Sequence, residues 1–177
     1  MTLNYKLDKD DFLTYQLYVA SKSKRIQKKK MRGWVLLLAG SLLLVLYFYF
    51  INVKSIVVYF SIVAVAIGIF YKKYFNWRYK RHYKKHIDEN YSNRIDINSE
   101  VEITDTHILT RDKISEGKII IDEVKEVINI PNYLFIVFST DVSLIIPKQK
   151  LNNFVELELL FKNKGIQINN DLDWKWE

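Results

Sequence analysis

The chain has 177 residues, a net charge of +7, no cysteine and a hydrophobic share of 49%. A chain this short holds at most one ordinary domain beside any membrane segment, and the missing cysteines exclude disulfides and thiolate metal sites. The net charge conceals an asymmetry: no Asp or Glu occurs from Phe12 to Ile87, a stretch with fifteen of the 27 Lys and Arg, whereas seventeen acidic and ten basic residues follow from Asp88 onward, a net −7. A basic total made this way argues for a membrane-flanking segment joined to an acidic domain, and no nucleic-acid partner is expected.

Residues 1–33 read as a short strand and an amphipathic helix. Leu3-Asn4-Tyr5-Lys6-Leu7 alternates apolar and polar residues, the pattern of a half-buried strand. A lone strand leaves its backbone groups unpaired, so it is expected to join the sheet of a later domain. Asp8 then caps a helix expected over about residues 9–30, with Asp11 favouring its positive end and Phe12, Tyr15, Val19 and Ile26 as its apolar residues.

Residues 34–71 read as a transmembrane hairpin. Two uncharged apolar runs, 34–51 and 55–71, are joined by Asn52-Val53-Lys54. At about 1.5 Å per residue each spans roughly 26 Å, enough for a hydrocarbon core. Lys22, Lys24, Arg25, Lys28, Lys29, Lys30 and Arg32 precede the hairpin; Lys72, Lys73, Arg78, Lys80, Arg81, Lys84 and Lys85 follow it; the connection offers only Lys54. The positive-inside rule then places both termini in the cytoplasm of a two-helix cell-membrane protein. Trp34 and Tyr71 fall at one expected interface, and Tyr47, Tyr49 and Tyr59 toward the other.

Residues 72–97 read as a basic juxtamembrane helix and linker continuing the second span. Aromatic and basic residues alternate there as they do at a headgroup layer. The residues expected against the inner leaflet, on anionic lipids without specificity, are Lys28, Lys29, Lys30, Arg32, Trp34, Lys72, Lys73, Trp77, Arg78, Lys80 and Arg81. His82 and His86 are spaced i, i+4, but Arg81, Lys84 and Lys85 surround them and repel a cation, so no metal is expected.

Residues 98–165 carry short strand patterns separated by turn signals. Val101–Ile103, His107–Thr110, Lys118–Ile121, Val124–Ile130, Tyr133–Phe138 and Val142–Ile146 are the expected strands. A final helix is expected with Asn153 as its cap, Glu156 at the capping-box position, Phe154, Leu157, Leu160 and Phe161 as its apolar face, and Gly165 as its stop. Six antiparallel strands, one more from the N-terminus and a helix outline a small pleckstrin-homology-like barrel, so the fold class expected is an α+β membrane protein; strand order stays open. Residues 166–177 form an acidic tail with Trp174 and Trp176.

This layout resembles the YcxB-like family of bacterial membrane proteins. The resemblance runs through Glu102-Ile103-Thr104-Asp105, Ile119 to Val124, the hairpin around Tyr133, and Leu144-Ile145-Ile146-Pro147-Lys148. The family often has a Trp where this chain has Asp122. The resemblance implies a pleckstrin-homology-like C-terminal domain and no catalytic residues.

Enzymatic constellations are missing from the sequence. No glycine-rich phosphate loop occurs, His107 sits beside a turn, Asp122, Glu123 and Glu126 read as solvated surface, and Ser115 and Ser143 have no base near them in sequence. The expectation is a non-enzymatic protein without a cofactor, presenting a binding domain at the inner leaflet to a protein partner or to a second copy in a homodimer. An immunity protein against a membrane-active toxin or bacteriocin is the alternative.

Overall fold

A computed structural model of the chain describes residues 1–151 and 154–176. The chain divides into two compact units, Met1–Tyr15 with Lys84–Lys175, and Gln16–Tyr83 with Trp176–Glu177.

The first unit holds two four-stranded sheets. One is an antiparallel meander of β1 (Thr2–Lys6), β2 (Asn98–Ile103), β3 (His107–Arg111) and β4 (Glu116–Ile120), in that order. The N-terminal strand does pair with the later domain: Leu3 faces Val101 and Tyr5 faces Ser99 across the β1–β2 ladder. The other sheet has β5 (Val124–Asn129), β6 (Tyr133–Phe138), β7 (Ser143–Pro147) and β8 (Gln167–Asn170) in the order β7-β6-β5-β8. Strand alternation sends Leu3, Tyr5, Val101, Ile103, Leu134, Ile136 and Phe138 into one shared core, which Leu157 and Phe161 complete.

The sheets do not close into the expected barrel. After β4 the chain makes a 3₁₀ turn over Ile121–Glu123, and β5 then uses one edge on β6 and the other, in parallel, on β8. With both edges of β5 occupied, no edge remains for β4. β8 lies in what the sequence presents as tail, and only Ile168 in it carries an apolar signal.

β6 has buried residues on both faces, since α1 (Lys9–Lys22) begins over the side away from the core. The Tyr15 ring meets Phe135 edge-on at 5.1 Å, and its hydroxyl donates to Ser143 Oγ at 2.8 Å. A helix expected to reach residue 30 instead breaks at Ser23. Ser23 takes an extended conformation, and its hydroxyl accepts from Ile26 N, which starts α2 (Lys24–Phe50). A serine hydroxyl competes for backbone donors this way, favouring a cap over a helix interior.

α4 (Phe154–Asn163) buries Leu157 and Phe161. The expected cap, Asn153, lies outside the described residues. Gly165 stops the helix as its position suggests: at φ +71°, its N–H reaches Lys162 O while Ile166 N–H reaches Phe161 O, a double bond pattern that a left-handed residue closes.

The second unit is a helical hairpin of α2 and the part of α3 (Lys54–Asn90) up to Tyr83. Both helices are long and apolar enough to cross a membrane. α2 ends as α4 does, with Asn52 at φ 63° as the left-handed residue and Val53 N–H bonded to Phe48 O. Phe48 and Phe60 stack at 5.8 Å, Ser41 and Ala64 are buried, and the Tyr71 hydroxyl lies over Gly33, where a Cβ would meet it at 2.2 Å. Small residues at such positions let helix backbones approach closely.

Candidate functional site

Three stripes of side chains build a groove in the helical unit. Arg25, Lys29, Gly33 and Leu37 recur every four residues on α2, and Tyr71, Phe75, Tyr79 and Tyr83 recur the same way on α3. Residues four apart share one helix face. Tyr74, Arg78 and His82 form the adjoining stripe of α3, and together these residues, with Ser23 and Ile26, line a cavity of about 970 Å³. The α3 stripe is a ladder of rings: Phe75 stacks on Tyr79 at 4.3 Å, with Tyr71 and Tyr83 at 6.1 and 6.2 Å from their neighbours. Lys30 Nζ stands over the Phe75 ring at 5.5 Å and donates to Asn76 Oδ1 at 2.8 Å, so it is held against the wall rather than free in the groove.

No carboxylate among the described residues lines this cavity. Among the described residues, Arg25, Lys29 and Arg78 make no ion pair. The groove therefore concentrates positive charge, backed by aromatic rings. Such a surface attracts anions and, near a membrane, headgroups.

The residues expected at the inner leaflet separate into distinct surroundings. Lys29 and Arg78 line the groove. Lys72 and Lys73 line a second cavity of about 570 Å³ with Ile69, Phe70, Asn76 and Trp176, whose indole N–H donates to Asn76 O at 3.3 Å. Arg81 lies over the Trp77 ring at 5.6 Å. Lys28, Arg32 and Lys80 are exposed and line neither cavity, and Trp34 is half-buried. Sequence reasoning missed Arg25, His82 and the tyrosines as one site, although the four-residue spacing of the stripes was the signal for it.

The first unit carries a smaller cavity of about 230 Å³, whose lining includes Tyr5, Arg94, Thr110, Arg111 and Ser143. The Arg111 guanidinium is bound to Glu116 at 2.7 Å, which raises its already high pKa. In the β3–β4 turn, backbone N–H groups of Ile114 and Ser115 donate to Asp112 Oδ1 at 2.7 Å and hold its carboxyl below the usual range.

Compared with protein-family models, with curated proteins and with solved structures, the chain matches none.

Proposed function

We propose that the chain is a membrane-anchored, non-enzymatic binding protein. In this reading α2 and α3 cross the cell membrane as a hairpin, both termini are cytoplasmic, and the β unit is a pleckstrin-homology-like interaction domain beside the inner leaflet. The observation that carries it is the uncovered apolar surface of the hairpin: Leu36, Leu43, Phe50, Ile62 and Ile69 are 64% to 79% exposed. Water-soluble monomers rarely leave so continuous an apolar surface bare, whereas in lipid it needs no cover. The crowd of Lys and Arg on both flanks against Lys54 alone at the turn supports this orientation.

A four-strand meander, a three-strand meander and a closing helix support the pleckstrin-homology-like reading. Within the β unit, β4 is an edge strand, with Ile120 60% exposed at its end. A peptide added along that edge gains main-chain hydrogen bonds, and the acidity of the chain beyond Asp88 favours a basic or neutral partner over an anionic lipid.

The absence of cysteine allows single cysteines to test the anchoring. A membrane-impermeant maleimide is expected to label K54C in intact cells and K118C only after permeabilisation. Labelling of K118C in intact cells, or release of the protein by alkaline carbonate, overturns the topology. A photo-crosslinker in place of Ile120 tests the edge: a discrete adduct competed away by purified full-length chain supports it, and adducts to lipid alone refute it.

A further inference from the structure

We infer that the groove between the Arg25–Lys29–Gly33–Leu37 stripe of α2 and the aromatic ladder of α3 is a specific site for one anionic phospholipid, with its phosphate held by Arg25 and Arg78. This goes beyond non-specific attraction to the inner leaflet and rests on the membrane-spanning reading of the hairpin.

Chemistry at the two ends of the groove argues for a lipid over a free anion. At one end stand Leu37, Gly33 and Tyr71, which belong to or border the uncharged runs 34–51 and 55–71. At the other stand Arg25, Lys29, Arg78 and His82. An occupant must therefore be apolar toward one end and anionic toward the other, as a phospholipid is. Guanidinium groups bind phosphate through paired N–H donors, and tyrosine hydroxyls and an imidazole N–H add neutral donors for ester and glycerol oxygens.

Volume and charge agree with this occupant. The cavity of about 970 Å³ lies within the range of roughly 300–1,000 Å³ found for small-molecule sites. Its cations have no acidic partner among the described residues, and the sequence has no acidic residue from Phe12 to Ile87 to supply one locally. A zwitterionic lipid brings a cationic group into that same field and is disfavoured.

The neighbouring cationic residues are arranged differently. Lys30 is engaged by Asn76, and Arg81 lies over Trp77. Lys28 and Lys80 do not line the groove. The structure thus contains its own charge-matched control: removing Arg25 and Arg78 empties the groove of its guanidinium groups, whereas removing Lys28 and Lys80 takes the same charge from open surface.

Native mass spectrometry of the full-length chain, released from micelles containing equal phosphatidylglycerol and phosphatidylcholine, reads the site directly. The expected result is one retained phosphatidylglycerol in preference to phosphatidylcholine. Its affinity should fall about tenfold for each of R25Q and R78Q, and about a hundredfold for both, while K28Q/K80Q changes it less than about threefold. Equal retention of the two lipids, or equal losses in R25Q/R78Q and K28Q/K80Q, overturns the site. Displacement of the lipid by inorganic phosphate assigns the groove to a free anion and also overturns it. Carbonate extraction of the same membranes tests the spanning reading separately: a protein that stays in the membrane yet shows no lipid preference refutes the groove alone.

Discussion

The Tyr133 hydroxyl donates to Asp11 Oδ1 at 2.7 Å, although 122 residues separate the two in sequence. Asp11 is also half of a reciprocal cap: its Oδ2 accepts from Asp8 N at 2.7 Å while Asp8 Oδ1 accepts from Asp11 N at 2.9 Å. The first turn of α1 is thereby tied both to itself and to the start of β6. A hydrogen bond to a charged group contributes about 1.5–3 kcal/mol, and loss of a cap costs about 1 kcal/mol. Urea unfolding of the full-length protein in detergent, followed by near-ultraviolet circular dichroism, should show Tyr133→Phe destabilised by about 2 kcal/mol. Asp11→Ala should lose more, because it also removes the cap. The double variant should match Asp11→Ala alone; full additivity would show that the two residues do not share the bond.

The same Tyr→Phe change should have the opposite sign at Tyr5. Its side chain is buried at 3% exposure, and its hydroxyl has no hydrogen-bond partner among the described residues. A hydroxyl removed from water without a partner costs about 1–3 kcal/mol, whereas the ring alone loses nothing by burial. Tyr5→Phe is expected to raise stability by about 1 kcal/mol in the same assay. A loss as large as that of Tyr133→Phe would mean that the Tyr5 hydroxyl is bonded in solution.

Local signals of high specificity made much of this fold legible. The Leu3–Leu7 alternation marks the N-terminal strand, whose pairing with β2 only the structure shows, Asp8 and Asp11 mark the start of α1, and Gly165 marks the end of α4. What stayed hidden depended on partners. β8 is polar except for Ile168 and owes its existence to the free edge of β5 and to the Asn129 amide, which donates to Asn170 Oδ1 at 2.6 Å. The break at Ser23 needed a choice between helix interior and cap that one serine does not announce. The groove stayed hidden because Arg25 and Arg78 read equally well as topology charges; their common surroundings depend on two helices facing one another.

Alkaline pH gives an independent reading of the two tyrosines. Burial holds the Tyr5 and Tyr133 hydroxyls above the ordinary tyrosine range; the charge of Asp11 adds to this at Tyr5, and the bond donated to Asp11 adds to it at Tyr133. The folded state thus keeps these protons at pH values where the unfolded chain releases them. Below about pH 10 both states hold these protons and stability does not depend on them; as pH rises from there toward the folded-state values, stability is lost. Urea midpoints should fall above about pH 10 in the parent protein, and less steeply in Y5F/Y133F. Equal alkaline limbs in the two proteins would exclude these tyrosines as the cause.

Gly33 offers a test of how the hairpin packs. A Cβ there meets the Tyr71 hydroxyl at 2.2 Å and Cζ at 3.3 Å, so the conflict lies mostly with one oxygen at the end of a ring. Overpacking of this kind costs about 1–3 kcal/mol, while alanine in place of glycine within a helix recovers about 1 kcal/mol. Gly33→Ala should therefore be neutral to destabilised by about 2 kcal/mol in detergent. In a Tyr71→Phe background the oxygen is gone and the helix preference remains, so the same substitution should become stabilising by up to about 1 kcal/mol. The change of sign is the diagnostic result. If Gly33→Ala has the same effect with and without the hydroxyl, Tyr71 does not lie over Gly33, and the groove loses the contact that closes its apolar end.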